Sequence, residues 1–363
     1  MSSTWGEQIK MTIFGESHGP AIGLVIDGLP AGVELNLTAI NKEMARRAPG
    51  KSKMATARVE TDQYIIESGM FKGKTTGMPI CVLIPNSDQH SNDYSVLKDV
   101  MRPGHGDYPG HVKWNGCNDY RGGGSFSGRL TACLVFMGAV AKQLLAQENI
   151  YVGAHIGSVG NIQDRKFNPL GEERNVFSQL TDEYLPVLDR EKGQAMETAI
   201  LRAREEKNSI GGTIECQITG VPVGLGEPYF DSVESRLAHA VFSVPAVKAI
   251  EFGKGFALGA MLGSEANDPM EMAEGKVKIT SNNNGGILGG ISNGMPIDFT
   301  VAVKPTPSIA LPQNTINITT KKNTVLEITG RHDPCIVPRA VPVIEGIAAW
   351  TILDLLYLAR RRN

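Results

Sequence analysis

The hydrophobic pattern opens with three strand-like runs, at 10–14 (KMTIF), 23–29 (GLVIDGL) and 32–35 (GVEL). The period then lengthens. Over Leu37–Arg47, apolar Leu37, Ile40 and Met44 recur at helical spacing, with Thr38 as a candidate N-cap and Ala-Pro-Gly as the stop. Strands return at 64–71 and 79–86, separated by the turn-rich GKTTGM. From 86 to 128 periodicity is lost among Gly, Asp, Asn, Tyr and His, and so long an irregular stretch in a compact protein is usually functional. The strongest helix pattern follows, Ser127 to Gln147, carried by Leu130, Cys133, Leu134, Met137, Val140, Ala141, Leu144 and Leu145. Beyond it the pattern predicts strands at 151–160 and 211–219, a mixed loop and helix region at 162–208, and a helix at 230–244. A strand opening at EFGKGF, one at 297–304 and a last helix over 338–360 complete the series. Strands and helices do not alternate regularly, which argues against a doubly wound parallel sheet. No repeat or linker interrupts residues 1–363, so the expectation is one α+β domain.

Composition narrows the class. The 363 residues are 41% hydrophobic, enough for a large buried core. A net charge of −2 argues against a nucleic-acid partner, which normally requires a basic excess. No apolar run of about 18 residues is evident, so no membrane span is expected. The start, MSSTWGEQIK, lacks a signal-like apolar stretch, and the five cysteines are scattered, odd in number and without a CxxC pair. Both features suit reduced thiols in a cytoplasmic protein with no metal site. Glycine is abundant, at 41 residues, which implies turns or close approaches to a ligand.

Candidate chemistry gathers in four stretches: GESHG (15–19), RPGHGDYPGH (102–111), DYRGGGSFSGR (119–129) and GRHDP (330–334). In the third, glycines feed a helix start, where exposed N–H groups and the helix dipole favour an anion. Arg121 and Arg129 flank that turn and are able to grip the same anion. It is neither a Walker A motif nor a clear GxGxxG unit, and a plain glycine-rich helix entry with surface arginines explains it equally well. Of seven histidines, His18, His105 and His332 lie beside Gly, Pro and a carboxylate or hydroxyl, as proton carriers would. His90, His111, His155 and His239 are assigned structural roles. Asp333 is a candidate base, orienting partner or N-cap of the last helix. Arg46 and Arg47 end a helix, where cations suit the dipole, and Lys51, Lys53 and Arg58 follow. Together these suggest a clamp for a multiply charged anion or, equally, a solvated loop. Glycines 285, 286, 289 and 290, upstream of AVKPTPSI, suggest either close backbone approach to a flat ligand or a pair of tight turns.

At these same residues the sequence resembles the chorismate synthase family. FGESHGPAIGLVIDGLPAG, RPGHGDY, DYRGGG followed by SGR, SIGG, GLGEPYFD, GGILGGISNG, KPTPS and GRHDPCIVPRAVPV run in the family's order across nearly the whole chain. The resemblance implies a β-α-β sandwich with helices between antiparallel sheets, assembled as a homotetramer. It implies a lyase that performs the last step of the shikimate pathway: 1,4-anti elimination of phosphate and a C6 hydrogen from 5-enolpyruvylshikimate 3-phosphate to give chorismate. Reduced FMN would be required without net redox change, and NADPH would be used as well should the chain reduce its own flavin. His18 would protonate the departing phosphate, His105 would control protonation at flavin N1, and Asp333 would help remove the C6 hydrogen. Arg47, Lys53, Arg121 and Arg129 would face the substrate, and Ser17 and Ser127 would hydrogen-bond flavin or substrate. Ser125, Phe126, Ser127, Ala246, Gly289, Lys304, Pro305, Thr306, Pro307, Ser308 and Arg331 match the family's FMN contacts.

The chain departs from the common pattern in places. Ser125-Phe126 stands where Arg-Ser is usual, Gly128 where Ala is, Leu130 where Glu is, Lys53 where Arg is and Pro245 where Asn is common. These changes bear on the individual flavin contacts, since lysine keeps the charge of arginine without its bidentate fork. Two rivals stand beside the enzyme: an NAD(P)H-dependent flavin oxidoreductase, against which the missing dinucleotide unit weighs, and a non-catalytic binder of phosphorylated shikimate compounds.

Overall fold

The predicted strands pair into two five-stranded sheets, and every pairing within them is antiparallel. The computed structural model describes residues 3–50, 54, 60–87, 96–328 and 332–362. The first sheet runs, edge to edge, Thr4–Trp5, Lys10–Gly15, Ala21–Asp27, Ile80–Pro85 and Ile65–Ile66. The second runs Val247–Phe252, Ile297–Val303, Gly212–Thr219, Tyr151–Val159 and Ile162–Gln163. Ile22, Leu24, Ile26, Val82 and Ile84 from the first sheet share one buried core with Ile214, Cys216, Phe299 and Val301 from the second.

Between the sheets lie the helices Thr131–Gln147 and Val337–Arg362. Every residue from Thr131 to Ala141 is buried, so this helix is apolar on all sides, as a helix inside a core must be. Both helices are long and apolar enough to cross a membrane by length and composition, contrary to the expectation of no such run. Their windows are mostly enclosed by the sheets, which supply the apolar surroundings a bilayer otherwise would. The two helices touch backbone to backbone at Gly138 and Gly346, where a Cβ on Gly138 would stand 2.1 Å from the Gly346 Cα. Charge also crosses this layer. Glu345 accepts from Arg46 Nη2 at 2.9 Å, pairs closely with Lys142, and takes the Ala154 N–H at 3.2 Å.

Several boundaries differ from expectation, each for a local reason. Helix Leu37–Arg47 is capped by Asn36, whose side chain accepts the Ala39 N–H at 3.0 Å, and not by Thr38. The α-helix expected from Ser127 begins at Thr131, because Gly128–Leu130 winds more tightly as a 3₁₀ turn. The 230–244 helix contracts to Val233–Val241, capped by Ser232. The strand expected to begin at EFGKGF instead ends there, at Phe252, where Gly253 turns at φ +56°. GKTTGM contributes a short strand, Lys74–Thr75, paired with Met70–Phe71. Within 86–128, residues 107–113 form a helix that Pro109 and Gly110 conceal from pattern reading.

Candidate active site

A cavity of about 420 Å³ opens where several segments come together. They include the C-terminus of Leu37–Arg47, Glu60, the turn 102–106, the glycine turn 122–128, residues 244–246, the 304–308 segment after Ile297–Val303, and the approach to the last helix. The volume lies in the usual range for small-ligand sites, roughly 300–1,000 Å³. Val244, Pro245, Phe126 and Val343 supply apolar wall, while Arg47, Arg129, Arg339 and Lys304 supply cationic groups.

The glycine turn brings the two key histidines together. Gly122, Gly123 and Gly124 all have positive φ (58°, 84° and 53°), a conformation that costs glycine little. A Cβ on Gly122 would lie 2.3 Å from His18 Cδ2 and 2.9 Å from Ser17 Oγ; one on Gly123 would lie 3.3 Å from His105 Nε2. His105 therefore lines the cavity, and buried His18 stands directly behind Gly122, a wall residue. Ser17 Oγ is fully buried and has no hydrogen-bond partner among the described residues. An orphaned hydroxyl beside bare glycine backbone, next to a cavity with apolar and cationic walls, fits a flat polar-edged group such as a flavin ring.

His105 is held from behind. Its Nδ1 lies 2.6 Å from Asp107 Oδ1, and Arg102 donates to both oxygens of that carboxylate, from Nε at 2.7 Å and Nη2 at 2.8 Å. Burial alone would raise the Asp107 pKa; hydrogen bonds from Arg102 and His105, and their charge, hold it well below the usual range. Arg102 Nη1 also donates to Ser308 Oγ at 3.2 Å, tying this cluster to the 304–308 wall.

The arginines are braced by buried carboxylates. Asp62 takes Arg47 Nε at 2.7 Å on one oxygen and Arg129 Nη1 on the other. Both guanidinium groups are almost fully buried, at 2% exposure, which forces such pairing. Burial lowers the Arg47 pKa; Asp62 pulls it back up, and the charges of Arg339 and Arg129 lower it again. Arg47 Nη2 is 2.6 Å from Asp62 Oδ2, yet it is poorly aligned and has no hydrogen-bond acceptor among the described residues. Arg47 and Lys304 both line the cavity and place cationic groups on its wall. Asp333, also on the wall, pairs with Arg339 Nη1.

Among the expected site residues, His105, Arg47, Arg129, Phe126, Ser127, Ala246, Lys304, Thr306, Pro307, Ser308 and Asp333 line this cavity, as does His332. Ser17 and His18 back it. Arg121 does not reach it: its guanidinium closes on Asp119 at 2.9 and 2.8 Å, so it does not share an anion with Arg129. Ser125, Pro305 and Gly289 are exposed and lie off the cavity wall. Lys53 and Arg331 fall outside the described residues, as do Lys51, Arg58 and His90. Gly285, Gly286 and Gly290 serve backbone packing instead of ligand approach. A Cβ on each would meet neighbouring backbone at 2.5, 2.3 and 2.8 Å. His155 is buried between Asp164 and Glu215, and His239 stacks on Trp5, in keeping with structural roles.

Pattern reading missed Arg102, Asp107, Asp62 and Arg339. The first two sit inside RPGHGDYPGH, and their spacing to His105 was available. Arg339 carried a physical signal too: it lies in the first turn of a helix, where the dipole repels a cation unless a carboxylate such as Asp333 compensates. Nothing local marks Asp62, whose partners are 15 and 67 residues away.

With this geometry in hand, three comparisons agree. The family model described as chorismate synthase matches residues 9–357. A chorismate synthase of Dehalococcoides mccartyi is 45% identical over 355 residues, covering 98% of this chain and 96% of that protein. One of Methanocella arvoryzae is 46% identical, covering 97% and 93%; one of Thermococcus kodakarensis is 43% identical, covering 98% of each. A crystal structure of a chorismate synthase superposes with a TM-score of 0.78 at 29% identity, covering 98% of this chain and 93% of that one.

Proposed function

The chain belongs to the chorismate synthase family, and on that premise we propose how its residues divide the work of a lyase that makes chorismate from 5-enolpyruvylshikimate 3-phosphate. The observation that carries the reading is the gathering of His18, His105, Arg47, Arg129, Arg339 and Lys304 around one cavity. The substrate carries a phosphate and two carboxylates. Arg47, Arg129 and Lys304 offer these groups charge, and the braced guanidiniums offer it without reorganisation. His18 donates the proton that makes phosphate a better leaving group. Asp333, on the cavity wall, is the base that helps take the C6 hydrogen, directly or by way of the bound flavin. His105 exchanges a proton through the ring nitrogen that Asp107 leaves free, and so would control protonation of the bound flavin.

Reduced FMN belongs to the same reading: when bound, it lends electron density that eases the departure of phosphate. Ser17, Phe126, Ser127, Ala246 and the Lys304–Ser308 segment would hold it, with Ser17 Oγ as a waiting polar contact. Residues 1–363 act as one unit, in a cytoplasmic homotetramer.

The test is an anaerobic assay with chemically reduced FMN and no NADPH, in which the expected result is chorismate formation. His18→Ala and His105→Ala should each cut turnover by roughly 10²- to 10⁴-fold, the general acid–base range. Folding should be little changed. Tight substrate binding by the wild type with no turnover would replace this reading with that of a non-catalytic binder.

A further inference from the structure

What fixes the tautomer of His105, which lines the cavity? Its Nδ1 has two close neighbours, Asp107 Oδ1 at 2.6 Å and Arg102 Nη2 at 3.0 Å. Were Nδ1 unprotonated, its lone pair would face a carboxylate oxygen at 2.6 Å inside a buried cluster, two acceptors in contact. A proton on Nδ1 removes that clash. Arg102 Nη2 does not need Nδ1 as an acceptor, because Asp107 Oδ1 takes its hydrogen at 2.8 Å. Asp107 is itself immobile: it is 7% exposed, and Oδ2 receives both the Arg102 backbone N–H at 3.1 Å and Nε at 2.7 Å. On the ring's other side Nε2 points at Gly123, and Phe126 meets the ring edge-on, with centroids 6.3 Å apart.

We propose that Asp107 is a positioning residue that locks His105 in its Nδ1–H tautomer, so that Nε2 is the atom exchanging a proton in the cavity, with Arg102 as the anchor of Asp107. The inference rests on the reading that His105 acts on bound ligands. The low Asp107 pKa supports it, since the carboxylate then stays an acceptor at working pH. The logic is that of any histidine oriented by a buried carboxylate: the wrong tautomer carries its proton on the wrong side.

Asp107→Asn gives a sharp test. The position of Oδ2 faces two N–H donors, and that of Oδ1 faces only one, Arg102 Nη2, beside His105 Nδ1, so the amide oxygen is favoured at the Oδ2 position. The amide NH₂ then faces His105 and donates to Nδ1, driving the proton to Nε2. In full-length ¹⁵N-histidine-labelled protein without ligands, His105 is assigned by the signal lost in His105→Ala. The wild type should show a pyrrole-like Nδ1 and a pyridine-like Nε2; Asp107→Asn should reverse them. The kcat should fall by roughly 10²-fold or more with KM little changed, and Asp107→Glu should restore the Nδ1–H tautomer with part of the rate. Added to His105→Ala, Asp107→Asn should cost nothing further. An Nε2–H tautomer in the wild type overturns the inference without any variant having to fold. So does an unchanged tautomer in Asp107→Asn, or a further rate loss in the His105→Ala background. Full turnover in His105→Ala would instead overturn the reading of His105 itself.

Discussion

Replacing Gly122 with alanine should separate folding from catalysis in this protein. The residue sits at φ +58°, where an L-residue pays roughly 1–2 kcal/mol. The new Cβ would stand 2.3 Å from His18 Cδ2 and 2.5 Å from Nε2. Restoring an ordinary contact of 3.4 Å requires about 1 Å of movement, and the buried imidazole has little room to yield. A shift of about 1 Å in a catalytic group is worth about 10²-fold in rate. The expected outcome is therefore a turnover loss of about 10²-fold with a modest drop in thermal stability. Gly123→Ala is the matched comparison: its φ of +84° imposes similar backbone strain, but its Cβ would come only to 3.3 Å from His105 Nε2. It should lose similar stability and far less rate. Gly128→Ala, with nothing within 4 Å and an ordinary φ, should behave as wild type. Chorismate formation under anaerobic conditions and thermal unfolding would be followed for all three. Wild-type turnover in Gly122→Ala, or equal losses across the series, would refute the placement of His18 against the glycine turn.

Three further outcomes follow from the core. Glu345→Gln should destabilise by about 3–5 kcal/mol, because Arg46 and Lys142 lose their shared buried counter-charge; denaturant unfolding measures it. Burial alone would raise the Glu345 pKa, but the charges of Arg46 and Lys142 hold it below the usual range. Its contribution is thus present above about pH 4 and lost as pH falls through the lower folded value, so the wild-type advantage should shrink toward pH 2. Asp298 behaves oppositely: burial and the nearby Glu215 charge push its pKa up to about 7, so folding favours its neutral form. Stability from it is present below about pH 4 and lost by pH 8; Asp298→Asn should be the more stable protein at pH 8, by a few kcal/mol at most, and not at pH 4. Gly138→Ala should lower the melting temperature sharply, since its Cβ would meet the Gly346 Cα at 2.1 Å and two packed helices would have to part.

Much of this was legible in the residue order. Local periodicity located most strands and the helices Leu37–Arg47, Thr131–Gln147 and Val337–Arg362, because strand and helix repeat lengths are properties of short windows. Ordered motifs identified the family, and histidine set among glycine and carboxylate marked His18 and His105 as candidate proton carriers. What remained hidden depended on distance in the chain. Asp62 joins Arg47 to Arg129, Gly122 seats His18, and Arg121 turns away to Asp119 although it lies only eight residues before Arg129. Each outcome follows from where buried charges find partners and where backbone can bend left-handed, and those are decided only when both sheets close on the helices between them. Sequence alone settled which chemistry was available; the folded chain decided which of those groups meet, since burial makes an unpaired charge far more costly than any local preference.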